Sequence, residues 1–435
     1  MQHPLKDLFA FQRDPLDFFL ERGRTASAPV VKLKMGPAHA YLVSAPEVAR
    51  EVLRAREDQI SKGRLIYKLQ EIIGESSMVL TGSEHAERRR VLHQQLSKGV
   101  TSSYVPEITA VVRRACNSLV HEAEFDAHDL TAQLATRIIA TIIFGGGVLS
   151  SADEMALIKA LHLAEEDLAA KIFKFLPDLP WVIWRKKKKL KAANRTMQLV
   201  VQKTREKATK HSLIDALEAL NLSNTALHEE ILLLLLAGHH TSGSAATWLL
   251  YFLATKPEVA AIVREESAMV YDEHGEIDPA RLVKASKTLA FVKETLRLYP
   301  SAFWMSRETE VAMTLGGARI PAGASLLFSP WHFHRDEKHW DRPNEFDLER
   351  NFKNPAYMPF GYGPRVCVGM SLGLLELQIM AMEIVSTFDL KLIKSPASLK
   401  PTPHITIVPP ELRMSASLRR YNVCTEVKMK DVVNA

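Results

Sequence analysis

The chain is poor in cysteine, with only Cys116, Cys367 and Cys424 among 435 residues. Three thiols so widely separated build neither a disulfide framework nor a paired-cysteine metal site. A signal peptide's apolar stretch is also missing, because Lys6, Asp7, Arg13, Asp14 and Asp17 interrupt residues 1–19. The chain is therefore expected in the cytoplasm, where the sequons at Asn194 and Asn221 carry no sugar. Recognition-helix patterns, zinc spacings and aromatic RNA-binding signatures are lacking too. The net charge of +6 thus predicts an acidic partner or an anionic surface rather than nucleic acid. No repeat, low-complexity tract or linker divides the sequence, which reads as a single domain over 1–435 and as a monomer. A hydrophobic content of 47% is enough for one large core.

What is present is concentrated near the C-terminal end, in Phe360-Gly361-Tyr362-Gly363-Pro364-Arg365-Val366-Cys367-Val368-Gly369. An apolar run from Met370 to Phe388 with helical spacing follows, which places Cys367 near a helix N-terminus. Unpaired backbone N–H groups and the helix dipole favour a thiolate there. The glycines admit close backbone approach to a flat ligand, and Arg365 offers a fork for a carboxylate. Such a cysteine is a nucleophile, an iron ligand or a buried inert thiol. A dinucleotide fingerprint fails, since Val366 stands where a third glycine is needed.

Upstream, residues 30–35 and 40–43 read as strands around Gly36-Pro37, and Pro46 opens a helix through Leu53. Residues 59–80 read as loop. A basic helix from Gly82 carries His85 and Arg89 on one face. Helical patterns follow from 106 to 143, ending at Gly145-Gly146-Gly147, and from 152 to 175. Trp181 and Trp184 beside Arg185 and Lys186–Lys189 suit either a lipid interface or an ordinary solvated helix start.

A long helix is predicted from about 227 to 254. Ile231–Leu236 is apolar on all sides and must be buried. Ala237-Gly238-His239-His240-Thr241-Ser242 then interrupts it with polar groups that a purely structural helix would avoid. His239 reads as a satisfied core residue. A zinc site is not expected, because adjacent histidines leave a helix on different sides and no His-Glu-x-x-His spacing occurs. Glu294 and Arg297 share one helix face ahead of Leu298-Tyr299-Pro300. His334-Arg335-Asp336 lacks the partners a kinase loop requires. Short strands are expected between 390 and 408, and fraying from about 421.

The spacing Phe360-x-x-Gly363-x-Arg365-x-Cys367-x-Gly369 resembles the haem-binding loop of the cytochrome P450 family. The Thr241 helix and the Glu294/Arg297 pair lie in that family's order. The resemblance implies a mainly α fold with a small β-rich lobe and haem b (iron protoporphyrin IX) as cofactor. Cys367 would be the proximal iron ligand, in a loop with Phe360, Gly361 and Arg365. His85, Arg89 and Arg307 would hold the haem carboxylates, and Glu294, Arg297 and Arg350 would brace the loop. Thr241 would donate a hydrogen bond to dioxygen, with Gly238 allowing close approach. His240 stands where the family has an acid and would relay protons, its ordinary pKa being about 6.5. Leu236, Ala237, Phe303, Trp304 and Met305 would line a substrate pocket.

The implied activity is insertion of one oxygen atom from O2 into a hydrophobic terpenoid, carotenoid, fatty acid or steroid-like compound. A ferredoxin-type electron donor with its reductase would dock at Arg365 and Arg88 or Arg90. Peripheral contact with a membrane stays open. A peroxide-using hydroxylase and a non-catalytic haem sensor are the competing expectations.

Overall fold

Apolar residues on every face drive 231–236 inside. Helix Asn224–Thr255 accordingly runs through the core, with Ile231 and Leu235 fully buried. Ser223 starts it by accepting the Ala226 N–H at 3.1 Å, and Pro257 ends it by disfavouring helical backbone at Lys256. This computed structural model describes residues 3–55, 57–120, 124–146, 149–173, 180–208, 212–394 and 399–419. The expectations for Gly147, Cys424, the end of the 152–175 helix and the terminus from 421 fall outside these residues.

Helix Ala127–Phe144 lies along the long helix. It is capped by Asp126, whose carboxylate accepts the N–H groups of His128 at 2.8 Å and Asp129 at 3.0 Å. A side chain at Gly243 would come within 3.2 Å of Ala132 Cα, so glycine sets the closeness of this crossing. Helix Met370–Thr387 packs on the other flank. It is long and apolar enough to cross a bilayer, yet most of it is buried in the core. Trp248 stacks on Tyr299 at 3.5 Å and ties the long helix to the segment after helix Ser286–Leu298.

The smaller lobe is a five-stranded sheet in the order Val30–Leu33, Ala40–Val43, Ser325–Phe328, Met305–Thr309, Ile60–Ser61. Ala40–Val43 runs parallel to Ser325–Phe328 and the other pairs are antiparallel, which puts Arg307 opposite Leu326. Residues 59–80, expected as loop, hold the edge strand Ile60–Ser61 and two one-turn helices. The chain is mainly α with a small β-rich lobe.

Candidate functional site

The Cys loop is held by backbone. The Cys367 N–H donates to the Phe360 carbonyl at 2.9 Å. Gly361 and Gly363 sit at φ 72° and 75°, and a Cβ on Gly363 would collide with the Leu53 carbonyl at the end of helix Pro46–Arg54. The loop therefore rests on the β-rich lobe on one side and leads into helix Met370–Thr387 on the other. Phe360 packs on the main core. Cys367 is enclosed by protein yet keeps an accessible side.

The expected thiolate does not follow from the protein alone. Burial raises the Cys367 pKa above its ordinary value, outweighing the Gly369 N–H and the Arg89 charge, both of which lower it. Iron bound to the sulfur would favour the deprotonated form.

His85, Arg89, Arg307 and Arg365, far apart in sequence, line one cavity of about 660 Å³ together with Lys62 and Pro364. Arg89 and Arg307 donate to backbone carbonyls, those of Val366 and Ser306. Burial brings Arg307 down to about 10 and also lowers Arg89 and Arg365. Burial, then the Arg365 and Lys62 charges, lower His85 to about 4, leaving a neutral imidazole that still donates one N–H. Arg89 donates to the Val366 carbonyl within the Cys loop. Arg365 differs from expectation. Its fork is taken by Glu57, with Nε 2.7 Å from Oε1, and by the Leu80 carbonyl at 3.0 Å. Glu57 and Lys62 were invisible in the sequence, since nothing local marks either as facing the cavity.

In the long helix, Ala237 and Thr241 are exposed although the residues before and after them are largely buried. They are four apart and form one open stripe. The Thr241 hydroxyl donates to the Ala237 carbonyl at 2.6 Å, and the Thr241 carbonyl accepts from Ser301 Oγ at 2.7 Å. Gly238 does not face this stripe. A Cβ there would lie 2.7 Å from Ile139 Cγ1, so its smallness serves helix packing, not approach of a ligand.

His240 is likewise corrected. Its Nδ1 is 2.7 Å from Glu165 Oε2 on helix Ser151–Phe173, and burial with nearby His162 and His128 lowers its pKa to about 3. An imidazole held neutral so firmly is a poor proton relay near pH 7. Burial raises Glu165 to about 7, which makes it the group of this pair that titrates near neutrality.

Phe303 is fully buried in a closed cluster with Phe11, Phe19 and Trp331, and Trp304 meets Phe11 edge-on at 5.4 Å. The N-terminal helices Lys6–Arg13 and Pro15–Arg24 pack on both rings, which encloses Phe303 and leaves Trp304 half-buried. Leu236 and Met305 remain half-buried, and Met305 Cε would be 3.8 Å from a Cβ on Gly361 of the Cys loop.

Glu294, Arg297 and Arg350 meet in the interior. Arg297 donates to both Glu294 oxygens at 2.7 and 2.8 Å, and Arg350 Nε lies 3.6 Å from Glu294 Oε1. Arg297 also donates to the carbonyls of His334 and Pro343. These bonds anchor the 334–347 segment that leads to the Cys loop. Arg88, expected at a partner surface, is instead buried against Glu230 at 3.3 Å, whereas Arg90 is exposed.

Glu376 was also missed, though a lone carboxylate in the apolar run 374–382 was a readable signal. It is buried, accepts from Ser242 Oγ, and is raised by burial to about 8.

An accessible cysteine in a glycine-rich loop, with Arg89 and Arg307 donating to backbone carbonyls, fits an iron porphyrin carrying carboxylates. The sequence matches the Cytochrome P450 family over residues 8–416, and the chain belongs to that family. It is a haem-iron oxidoreductase of the monooxygenase type. It is 26% identical to cyclooctat-9-en-7-ol 5-monooxygenase of Streptomyces melanosporofaciens, over 88% of this chain and 86% of that one. Pentalenene oxygenase of Streptomyces avermitilis is 25% identical over 93% of each chain. Protein LUTEIN DEFICIENT 5 of Arabidopsis thaliana is 25% identical over 87% of this chain and 70% of its own length.

Proposed function

We propose that this enzyme hydroxylates a terpenoid-like hydrocarbon with one atom of O2, using haem b on Cys367 and electrons from a separate ferredoxin-type donor. The observation that carries the reading is an accessible cysteine whose loop carbonyl at Val366 accepts from Arg89, which lines one cavity together with His85, Arg307 and Arg365. Two relatives act, by their names, on cyclooctat-9-en-7-ol and pentalenene, which supports an apolar cyclic substrate.

Bound at this site, haem supplies reductive activation of dioxygen for insertion into a C–H bond. The protein's own contribution begins with Cys367, which would hold the iron through sulfur, while Arg89 and Arg307 would neutralise the haem carboxylates. Ala237 leaves room against the helix. Thr241 presents a hydroxyl on the same open stripe, and Ser301 fixes the backbone that carries it by bonding the Thr241 carbonyl. Once that hydroxyl leaves the Ala237 carbonyl, it is free to donate a hydrogen bond or pass a proton on the open face of the helix. Arg90 is the exposed cation of the basic helix that meets an acidic donor protein.

The test is spectroscopic and chemical. The purified protein should bind haem with the red-shifted ferrous–CO band of thiolate ligation, and Cys367→Ser should abolish that band. Terpene hydrocarbons should shift the iron spin state where fatty acids do not. Thr241→Ala should keep haem and substrate binding while diverting reducing equivalents to peroxide. Unchanged product yield in Thr241→Ala would favour the peroxide-using alternative, and turnover with NAD(P)H and no added redox protein would overturn the separate donor.

A further inference from the structure

The polar insertion of the long helix holds a feature that the oxygen chemistry leaves unused. His239 and His240 project towards helix Ser151–Phe173, whose His162 ring lies 5.1 Å from His239 and 5.6 Å from His240. The three imidazoles each offer a nitrogen within 4.8 Å of the other two. Sequence spacing argued against such a site because it considered one helix alone. His162 enters from a second helix and sits over both neighbours.

The remaining polar atoms make this more than an accidental contact. His239 Nδ1 is 2.5 Å from Thr136 Oγ1, and His240 Nδ1 is 2.7 Å from Glu165 Oε2. Each ring is thereby held through one nitrogen, and the other, Nε2, is buried without a partner in both. Glu165 Oε1 is buried without a partner as well. Three orphaned acceptors or donors at this helix crossing cost about 1–3 kcal/mol each unless something satisfies them. Metal-bound histidines show this division of labour, one nitrogen on the ion and the other on a carboxylate or hydroxyl that orients the ring.

We propose that His162, His239 and His240 form a binding site for a zinc-class divalent cation, oriented by Glu165 and Thr136. The free Glu165 oxygen or a water completes a tetrahedron. Three imidazoles favour borderline ions over calcium or magnesium, which prefer oxygen. Zn–N bonds of about 2.0–2.1 Å place tetrahedral nitrogens roughly 3.4 Å apart. A rotation of the half-buried His162 ring closes the difference. The ion would fasten helix Ser151–Phe173 to the long helix one residue from Thr241 and so act as a structural clamp beside the oxygen-binding stripe.

The experiment uses the full chain, haem-loaded and free of any affinity tag, stripped with chelator and re-exposed to Zn2+ alone. One equivalent of zinc should survive gel filtration, the melting temperature should rise over the chelator-treated sample, and the zinc absorption edge should report about three imidazoles. His162→Ala should keep its haem spectrum, retain no zinc and melt at the same temperature with or without it. Thr136→Val should bind zinc about 10-fold or more weakly. No retained zinc, zinc retained equally by His162→Ala, or a shell with fewer than two imidazoles would each overturn the site. The edge measurement on the unaltered protein decides the matter even if a variant fails to fold. None of these readouts depends on turnover.

Discussion

Gly238 on the long helix stands against Ile139 so closely that a methyl group there would lie 2.7 Å from the isoleucine's Cγ1. Gly238→Ala gains about 1 kcal/mol of helix propensity but overpacks the crossing by about 1–3 kcal/mol. A net loss of about 1 kcal/mol is expected in chemical denaturation. Shortening the neighbour as well, in Gly238→Ala/Ile139→Ala, should show favourable coupling. Equal stability of Gly238→Ala and the parent would return this glycine to a ligand-facing role.

The Glu294–Arg297 pair sets a second expectation. Arg297 uses its fork on Glu294 and reaches three backbone carbonyls besides, those of His334, Pro343 and Glu345. Removing it leaves a buried carboxylate with one distant cation, at a cost of about 3–5 kcal/mol. Arg297→Lys should be nearly as damaging as Arg297→Ala, because an ammonium cannot span these acceptors. Haem content after expression and the denaturation midpoint measure both.

Glu376 predicts a pH dependence. Its pKa in the folded chain is raised to about 8 by burial, against an ordinary 4.5. The folded state holds this proton where the unfolded state has lost it, so the group's contribution is fully present below about pH 4.5 and is lost as pH rises towards 8. The stability of the parent relative to Glu376→Gln should fall across that window, by at most about 1.4 kcal/mol per pH unit. Melting curves of both proteins at several pH values between 5 and 8 suffice, and a constant difference would contradict the burial argument.

Two arginines separate cofactor retention from folding. Arg307 lines the cavity, whereas Arg88 is buried against Glu230. Arg307→Ala should speed transfer of haem to a scavenging globin several-fold while leaving the denaturation midpoint of the haem-free chain nearly unchanged. Arg88→Ala should cost about 3–5 kcal/mol of stability by stranding Glu230, without a specific effect on haem loss. The reverse pattern would mean that the cavity rim is not the carboxylate end.

Much of the site was legible because its chemistry is local. Glycines at positive φ, a cysteine at a fixed distance and a polar break in an apolar helix are properties of a few consecutive residues. The Cys367 loop, the open Ala237/Thr241 stripe and the inward Glu294/Arg297 face therefore lie on the elements read from the sequence. Phe303 is enclosed, and Trp304 half-buried, for the complementary reason. Their neighbours include Phe11 and Phe19, almost 300 residues away, and no spacing announces that the N-terminal helices close over them.

The chain by itself determined its helices, its ligand loop and its family, since backbone conformation and face periodicity act over a turn or two. Only the tertiary structure decided which faces meet. It gave Arg365 to Glu57, neutralised His240 beside Glu165, and laid His162 over two histidines that a single helix would have kept apart. Burial and neighbouring charge set the chemistry of each of these groups, and both exist only once the core has packed.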